Sequence, residues 1–219
     1  MTRWGMVVDL KRCIGCWACV VACKSENGTP QGIFWAKVLE RTEGKFPDVR
    51  RSFLPIRCNH CLKPPCLEAC PTGATHTRDK DNLVLIDQDK CIGCEACVIA
   101  CPYDARSLYE GTKGYFGDGL TPYEEVAYKK HQVGTVLKCN FCVHRIDKGL
   151  EPACVEGCPT RALTFGDLDD PESEVSQLRR NNNSFQLRPD LGTDPSTFFL
   201  PSDRKTELRN GRDAVEVKR

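Results

Sequence analysis

The sequence predicts an α+β chain of two similar units with little regular structure, each organised around cysteines, followed by an extended C-terminal tail. Three observations predict this. Of 219 residues, 16 are cysteine and only 40% are hydrophobic, too little apolar material for one large core at this length. The cysteines form four groups: Cys13, Cys16, Cys19 and Cys23; Cys58, Cys61, Cys66 and Cys70; Cys91, Cys94, Cys97 and Cys101; Cys139, Cys142, Cys154 and Cys158. None is left over; the first and third groups share one spacing and the second and fourth match but for seven extra residues in the last, so the chain repeats itself over roughly eighty residues in the order A-B-A′-B′.

The elements follow in order. "MVVDLKRC" before the first group and "LVLIDQDKC" before the third are short β-branched runs ending in turn chemistry, and read as strands. "ACVVACK" and "ACVIAC" suit one or two helical turns between cysteines. The B units match as "IRCNHC…PPCLEACPTGA" and "LKCNFC…PACVEGCPTRA". Their closing prolines break any preceding helix. Pro71, Pro102 and Pro159 follow the last cysteine of their groups; Lys24 stands there in the first, and reads as a plain exposed lysine. A Gly- and aromatic-rich insert separates Cys101 from Cys139. Past Gly166 the chain is polar apart from Phe198, Phe199 and Leu200, a composition that stays disordered unless laid on a partner. The division is therefore 1–50 and 105–165 as the halves of an outer unit, 51–104 as an inner unit, and 166–219 as a partner-binding tail.

Groups A and A′ share the spacing C-x2-C-x2-C-x3-C, the run of two-cluster ferredoxins, in which the fourth cysteine serves the other cluster of a pair. Zinc takes four ligands, usually as two C-x2-C pairs, and explains neither the third cysteine nor the Cys-Pro endings. Disulfides suit an exported chain, but "MTRWGMVVDLKRC" has no apolar signal region. Sixteen cysteines thus imply four [4Fe–4S] clusters, every cysteine an iron ligand, in two ferredoxin-like units. A net charge of +1 does not point to nucleic acid. No stretch approaches the roughly 20 apolar residues of a membrane helix. "GTKGYFGDG" lacks the strand and helix of a phosphate loop and reads as a surface loop. Nothing resembles a catalytic set, so the chain reads as non-catalytic. His60 and His144 lie in or beside ligand loops, where they either tune a cluster or sit as ordinary surface residues. Trp17 in the first loop corresponds to Glu95 in the third, a difference expected to shift their clusters in opposite directions.

Four such motifs in order, an insert before the fourth, and "LRPDLGTDPSTFFLP" in the tail resemble the electron-transfer subunits of the DMSO reductase family of molybdopterin enzymes. "GMVVDLKRCIGCWACVVACKSENGTPQGIFW" and "TEGKFPDVRRSFLPIRCNHC" are most similar to subunits of respiratory arsenate reductases. The resemblance implies a wiring: Cys13, Cys16 and Cys19 with Cys158; Cys139, Cys142 and Cys154 with Cys23; Cys58, Cys61 and Cys66 with Cys101; Cys91, Cys94 and Cys97 with Cys70. The Cys13 cluster would lie nearest a large molybdopterin partner holding Mo or W, and the Cys91 cluster farthest from it. It also implies a membrane quinone-reactive subunit or a cytochrome as a further partner, and export to the periplasm or outer membrane face with a twin-arginine partner. A stand-alone polyferredoxin, or the cytoplasmic small subunit of a pyrogallol transhydroxylase-type enzyme, is the alternative.

Overall fold

The computed structural model describes residues 2–111, 113–117 and 119–202. Its elements repeat as the sequence does. In the first copy β1 (Trp4–Asp9) leads through the Cys13 loop into α1 (Ala18–Asn27), then a hairpin of β2 (Ala36–Glu43) and β3 (Arg50–Arg57), and the single turn α2 (Pro65–Glu68). The short strands β4 (Thr75–Thr77) and β5 (Val84–Ile86) precede the third cysteine group and the turn α3 (Ala96–Ile99). Next come β6 (Arg106–Tyr109), α4 (Pro122–Ala127) in the insert, β7 (Thr135–Lys138), and the turns α5 (Val143–Ile146) and α6 (Ala153–Glu156). β8 (Leu163–Asp167), α7 (Glu174–Asn181) and β9 (Thr197–Leu200) complete the described chain.

Strand pairing preserves the repeat to the residue. β1 pairs antiparallel with β8, placing Val8 opposite Leu163. β4 pairs antiparallel with β5, placing Thr75 opposite Ile86. β2–β3 and β6–β7 are the second matched pair, with Ala36 opposite Arg57 and Arg106 opposite Lys138. Asp9 and Asp87 end their strands in the same way, each carboxylate accepting the N–H two residues on (Lys11, 2.9 Å; Asp89, 3.0 Å).

The expectation of a tail that orders only on a partner is corrected for residues 166–202; the rest of that tail, 203–219, lies outside the described residues. β9 adds to the free edge of β1 in parallel, Val8 opposite Phe199. Phe199 is buried in the main core with Met6, Val8 and Phe141. A second cluster joins Val7 and Leu200 to Leu168 and Val175, the last on α7. Ser173 caps α7 by accepting the Ser176 N–H. The apolar run "TFFL" thus supplies, within a polar segment, the residues that cover a sheet edge otherwise open to other chains.

Candidate metal centres

The backbone that carries the cysteines is set by the residues between them. Gly15 and Gly93, the glycines of the two "CIGC" loops, have φ of +70° and +66°. A Cβ at Gly15 would lie 2.3 Å from the Phe53 ring, and one at Gly93 2.3 Å from the Gly134 carbonyl oxygen. Only glycine fits either place. Trp17 and Glu95 follow in the same left-handed conformation, at φ 62° and 58°, each opening a helix. There the copies part. Pro102 stops α3 after one turn, whereas Lys24 lets α1 run ten residues to Gly28. That extension brings Asn27 to the cysteines, its amide donating to the sulfurs of Cys23 (3.6 Å) and Cys142 (3.5 Å). Lys24 is not the exposed lysine expected: its ammonium donates to the carbonyls of Thr29, Pro30 and Ile33 at 3.0–3.1 Å. It also lies 4.6 Å above the Phe34 ring.

The fold gathers the cysteines into four sets, each drawn from two motifs. Cys13 lies among Cys16, Cys19 and Cys158. Cys23 lies among Cys139, Cys142 and Cys154. One cavity is lined by Cys58, Cys61, Cys66 and Cys101, and another by Cys70, Cys91, Cys94 and Cys97. The sets form a line. Cys19 of the first faces Cys154 of the second, Cys139 of the second faces Cys58 of the third, and Arg106 lies among Cys66, Cys58 and Cys97 of the third and fourth. In the two middle sets every thiol but the half-buried Cys101 is buried, while Cys16 and Cys94, one in each end set, are exposed.

Thiolates in these surroundings need a metal beside them. Burial pushes the Cys61 thiol up to about 12 and Cys154 up to about 11, and raises Cys23 and Cys139 well above the ordinary thiol range. Crowded thiols of this kind ionise together only with metal among them. The fourth cysteines differ. Burial raises Cys70, but donors on Thr75 and Thr72 outweigh it and hold the thiol at about 7. Cys158 is lowered in the same way by the Ala162 N–H and Thr160. Hydrogen bonds aim at sulfur throughout: the Val136 N–H to Cys91 (3.4 Å), the Phe141 N–H to Cys139 (3.4 Å) and the Arg106 Nη2 to Cys66 (3.0 Å). Among the described residues no three His, Cys, Asp or Glu side chains gather closely enough to share a single metal ion.

His60 is neither a surface residue nor a sulfur donor. It is 1% exposed, accepts the Val84 N–H at Nδ1, and donates from Nε2 to the Cys139 carbonyl at 3.1 Å. Its ring stacks on Phe141 at 4.0 Å. The two occupy equivalent places in "CNHC" and "CNFC", so the repeat touches itself at the junction of the second and third sets. His144 is exposed and pairs with Glu26 at 2.7 Å. Sequence patterns do not single out Arg106 or Asn27. Arg57 alone carries a signal, standing directly before Cys58 as Lys138 stands before Cys139.

Profiles described as the 4Fe-4S dicluster domain match residues 12–74, 49–116 and 117–168. The chain is 42% identical to the arsenate respiratory reductase iron-sulfur subunit ArrB of Shewanella sp. (strain ANA-3), an alignment covering 91% of this chain and 97% of that one. The chain belongs to this family of iron–sulfur subunits. It is also 41% identical to a selenate reductase subunit of Mesobacillus selenatarsenatis (90% of this chain, 72% of that one). A tetrathionate reductase subunit of Salmonella typhimurium is likewise 41% identical (92% and 73%). The resemblance to electron-transfer subunits of molybdopterin oxidoreductases is thereby borne out, as is the reading of [4Fe–4S] cofactors. Among the described residues no helix is long and apolar enough to cross a membrane.

Proposed function

We propose that this chain relays electrons through four [4Fe–4S] clusters between an external donor or acceptor and the molybdopterin active site of a large catalytic partner. The observation that carries the reading is the line of four thiol sets, buried near its middle and with an exposed cysteine in each end set. The first set would hold its cluster with Cys13, Cys16, Cys19 and Cys158, the second with Cys23, Cys139, Cys142 and Cys154. The third would use Cys58, Cys61, Cys66 and Cys101, and the fourth Cys70, Cys91, Cys94 and Cys97. When bound, each cluster supplies a one-electron site. The protein orients the thiolates, donates N–H groups to sulfur and keeps water from the middle of the line. Residues 51–104 then form the inner two-cluster unit, and 1–50 with 105–165 the outer one. The tail 166–219 serves the partner, with β9 anchoring it on β1.

The complex reduces or oxidises arsenate or a related oxyanion. The likeness to the arsenate subunit supports this choice, because it spans nearly that whole protein, against 72% and 73% of the selenate and tetrathionate subunits. By the same likeness the complex works in the periplasm or on the outer membrane face, reached by co-export with the catalytic partner. Anaerobic affinity purification from native cells, with metal analysis and mass spectrometry, tests the reading. A large co-purifying subunit with Mo or W, and about sixteen irons per copy of this chain beyond those of the partner, is the expected result. A chain that arrives alone with its iron is a free polyferredoxin, and the proposal fails.

A further inference from the structure

A buried guanidinium with two idle donors stands between the first two thiol sets. Arg57 closes β3 and is 3% exposed. Its Nη1 rests on the Met6 sulfur, while Nε and Nη2 find no hydrogen-bond partner. Among the described residues no carboxylate pairs with it. An unpaired buried cation of this kind is costly, and unsatisfied donors that deep in a core call for an absent acceptor. What surrounds Arg57 is sulfur: Cys19 of the first set, and Cys154, Cys139 and Cys23 of the second. The other buried arginine beside cysteine among the described residues shows the same preference satisfied, for Arg106 donates to the Cys66 sulfur and the Thr75 hydroxyl, both at 3.0 Å.

We propose that Arg57 is a positioning residue shared by the first two clusters, donating its idle N–H groups to cluster sulfur and raising both reduction potentials with one charge. The inference rests on the ligand assignment proposed above. Its physical basis is that each cluster becomes more negative on reduction, so a fixed cation at their boundary favours the reduced form of either. One residue thereby keeps the two potentials in step.

The test is an anaerobic redox titration followed by electron paramagnetic resonance on the purified complex, with iron counted in each sample. Wild-type protein is read first: fewer than four clusters on this chain would break the ligand assignment itself, before Arg57 is touched. In Arg57→Gln with its iron intact, two of the chain's four midpoint potentials are expected to fall together while the other two hold. Arg57→Lys, which keeps the charge, is expected to leave all four near their native values. Potentials unmoved in Arg57→Gln, a single potential moved, all four moved, or a shift as large in Arg57→Lys would each overturn the proposal. Should Arg57→Gln lose both clusters, Arg57→Lys decides. Recovery of both at near-native potentials supports the shared charge, and a second loss shows a merely structural role.

Discussion

Ala36 faces Arg57 across β2–β3, and Arg106 faces Lys138 across β6–β7. These are the same two positions of the repeat, and the three cations are all nearly fully buried. Each base of a ladder therefore brings positive charge to a cluster pair, one cation on the outer side and two on the inner. The backbone that holds cysteine is copied closely, down to the left-handed Gly15 and Gly93 and the register of the short strands. The charge beside the cysteines is not copied. Ligand geometry tolerates little change, because each loop must wrap a cluster of fixed size, whereas a cation nearby can be gained or lost at fixed geometry. The duplication thus preserved the sites and left the potentials free to diverge.

The largest effect is expected where the copies meet. Phe141 is 1% exposed, stacked on His60 and edge-on to Phe165 at 5.4 Å. Phe141→Ala should destabilise the protein by about 3–5 kcal/mol, read as a lower temperature for loss of the visible cluster absorbance. His60→Phe would keep a stack but orphan the buried Val84 N–H, at about 1–3 kcal/mol, while Lys138 still donates to the Cys139 carbonyl. If His60→Phe proves the more damaging, hydrogen bonds rather than ring stacking hold the halves together.

Next in size is the second inner cation. Lys138 donates to the Cys139 carbonyl at 2.7 Å and lies near Cys66. Lys138→Met should lower the potentials of the inner pair by on the order of 100 mV, since a unit charge 4 Å away is worth roughly 1–4 kcal/mol between the dielectric of water and that of a protein surface. The same titration with electron paramagnetic resonance reads it. A change confined to the outer pair would break the comparison.

What the sequence disclosed follows the same division. The four cysteine groups, the strands before groups A and A′, and the A-B repeat are all legible, because cluster ligation is written into short spacings. The buried cations are not, because Arg57 acquires its meaning only when the chain brings Cys19 and Cys154 to it. Asn27 is hidden by a single absence: without a proline at position 24, α1 continues, and four residues beyond Cys23 an ordinary polar side chain turns toward sulfur. The tail misleads for a related reason. Phe199 bridges to Phe185 nearby, but its strand partner is the free edge of β1, at the opposite end of the chain, and no local pattern announces that pairing.

Smaller effects are expected at the exposed ends. Trp17 and Glu95 share a backbone conformation and both face outward. Glu95→Gln should raise the potential of the Cys91-containing cluster, and Trp17→Glu should lower that of the Cys13-containing one, because a carboxylate disfavours the more negative reduced state. Exposure screens both, so shifts on the order of tens of millivolts are expected, a charge about 4 Å away in water being worth about 1 kcal/mol. Equal and opposite movement would show that the two loops are electrostatically interchangeable. An unmoved lowest-potential signal in Glu95→Gln would show that solvent alone sets that end.

The smallest effect belongs to the insert, which has no counterpart elsewhere in the repeat. Thr121 and Glu124 form a reciprocal cap on α4, the hydroxyl accepting the Glu124 N–H and the carboxylate accepting the Thr121 N–H at 2.7 Å. The Tyr115 N–H also donates to that carboxylate at 2.8 Å. These donors, the Thr121 N–H first, hold Glu124 down at about 2, below its ordinary 4.5. A carboxylate lowered on folding adds stability that is complete above its unfolded value and is lost as pH falls toward the folded one. The insert's order should therefore hold at neutral pH and weaken only between about 4.5 and 2. Glu124→Gln should reproduce that weakening at neutral pH, where the clusters survive. Faster hydrogen exchange across residues 113–117 and 121–128, with all four potentials unchanged, is the expected result. If the potentials move as well, the insert is coupled to the line of clusters through Tyr123, whose hydroxyl donates to the Ser25 carbonyl on α1 at 2.7 Å.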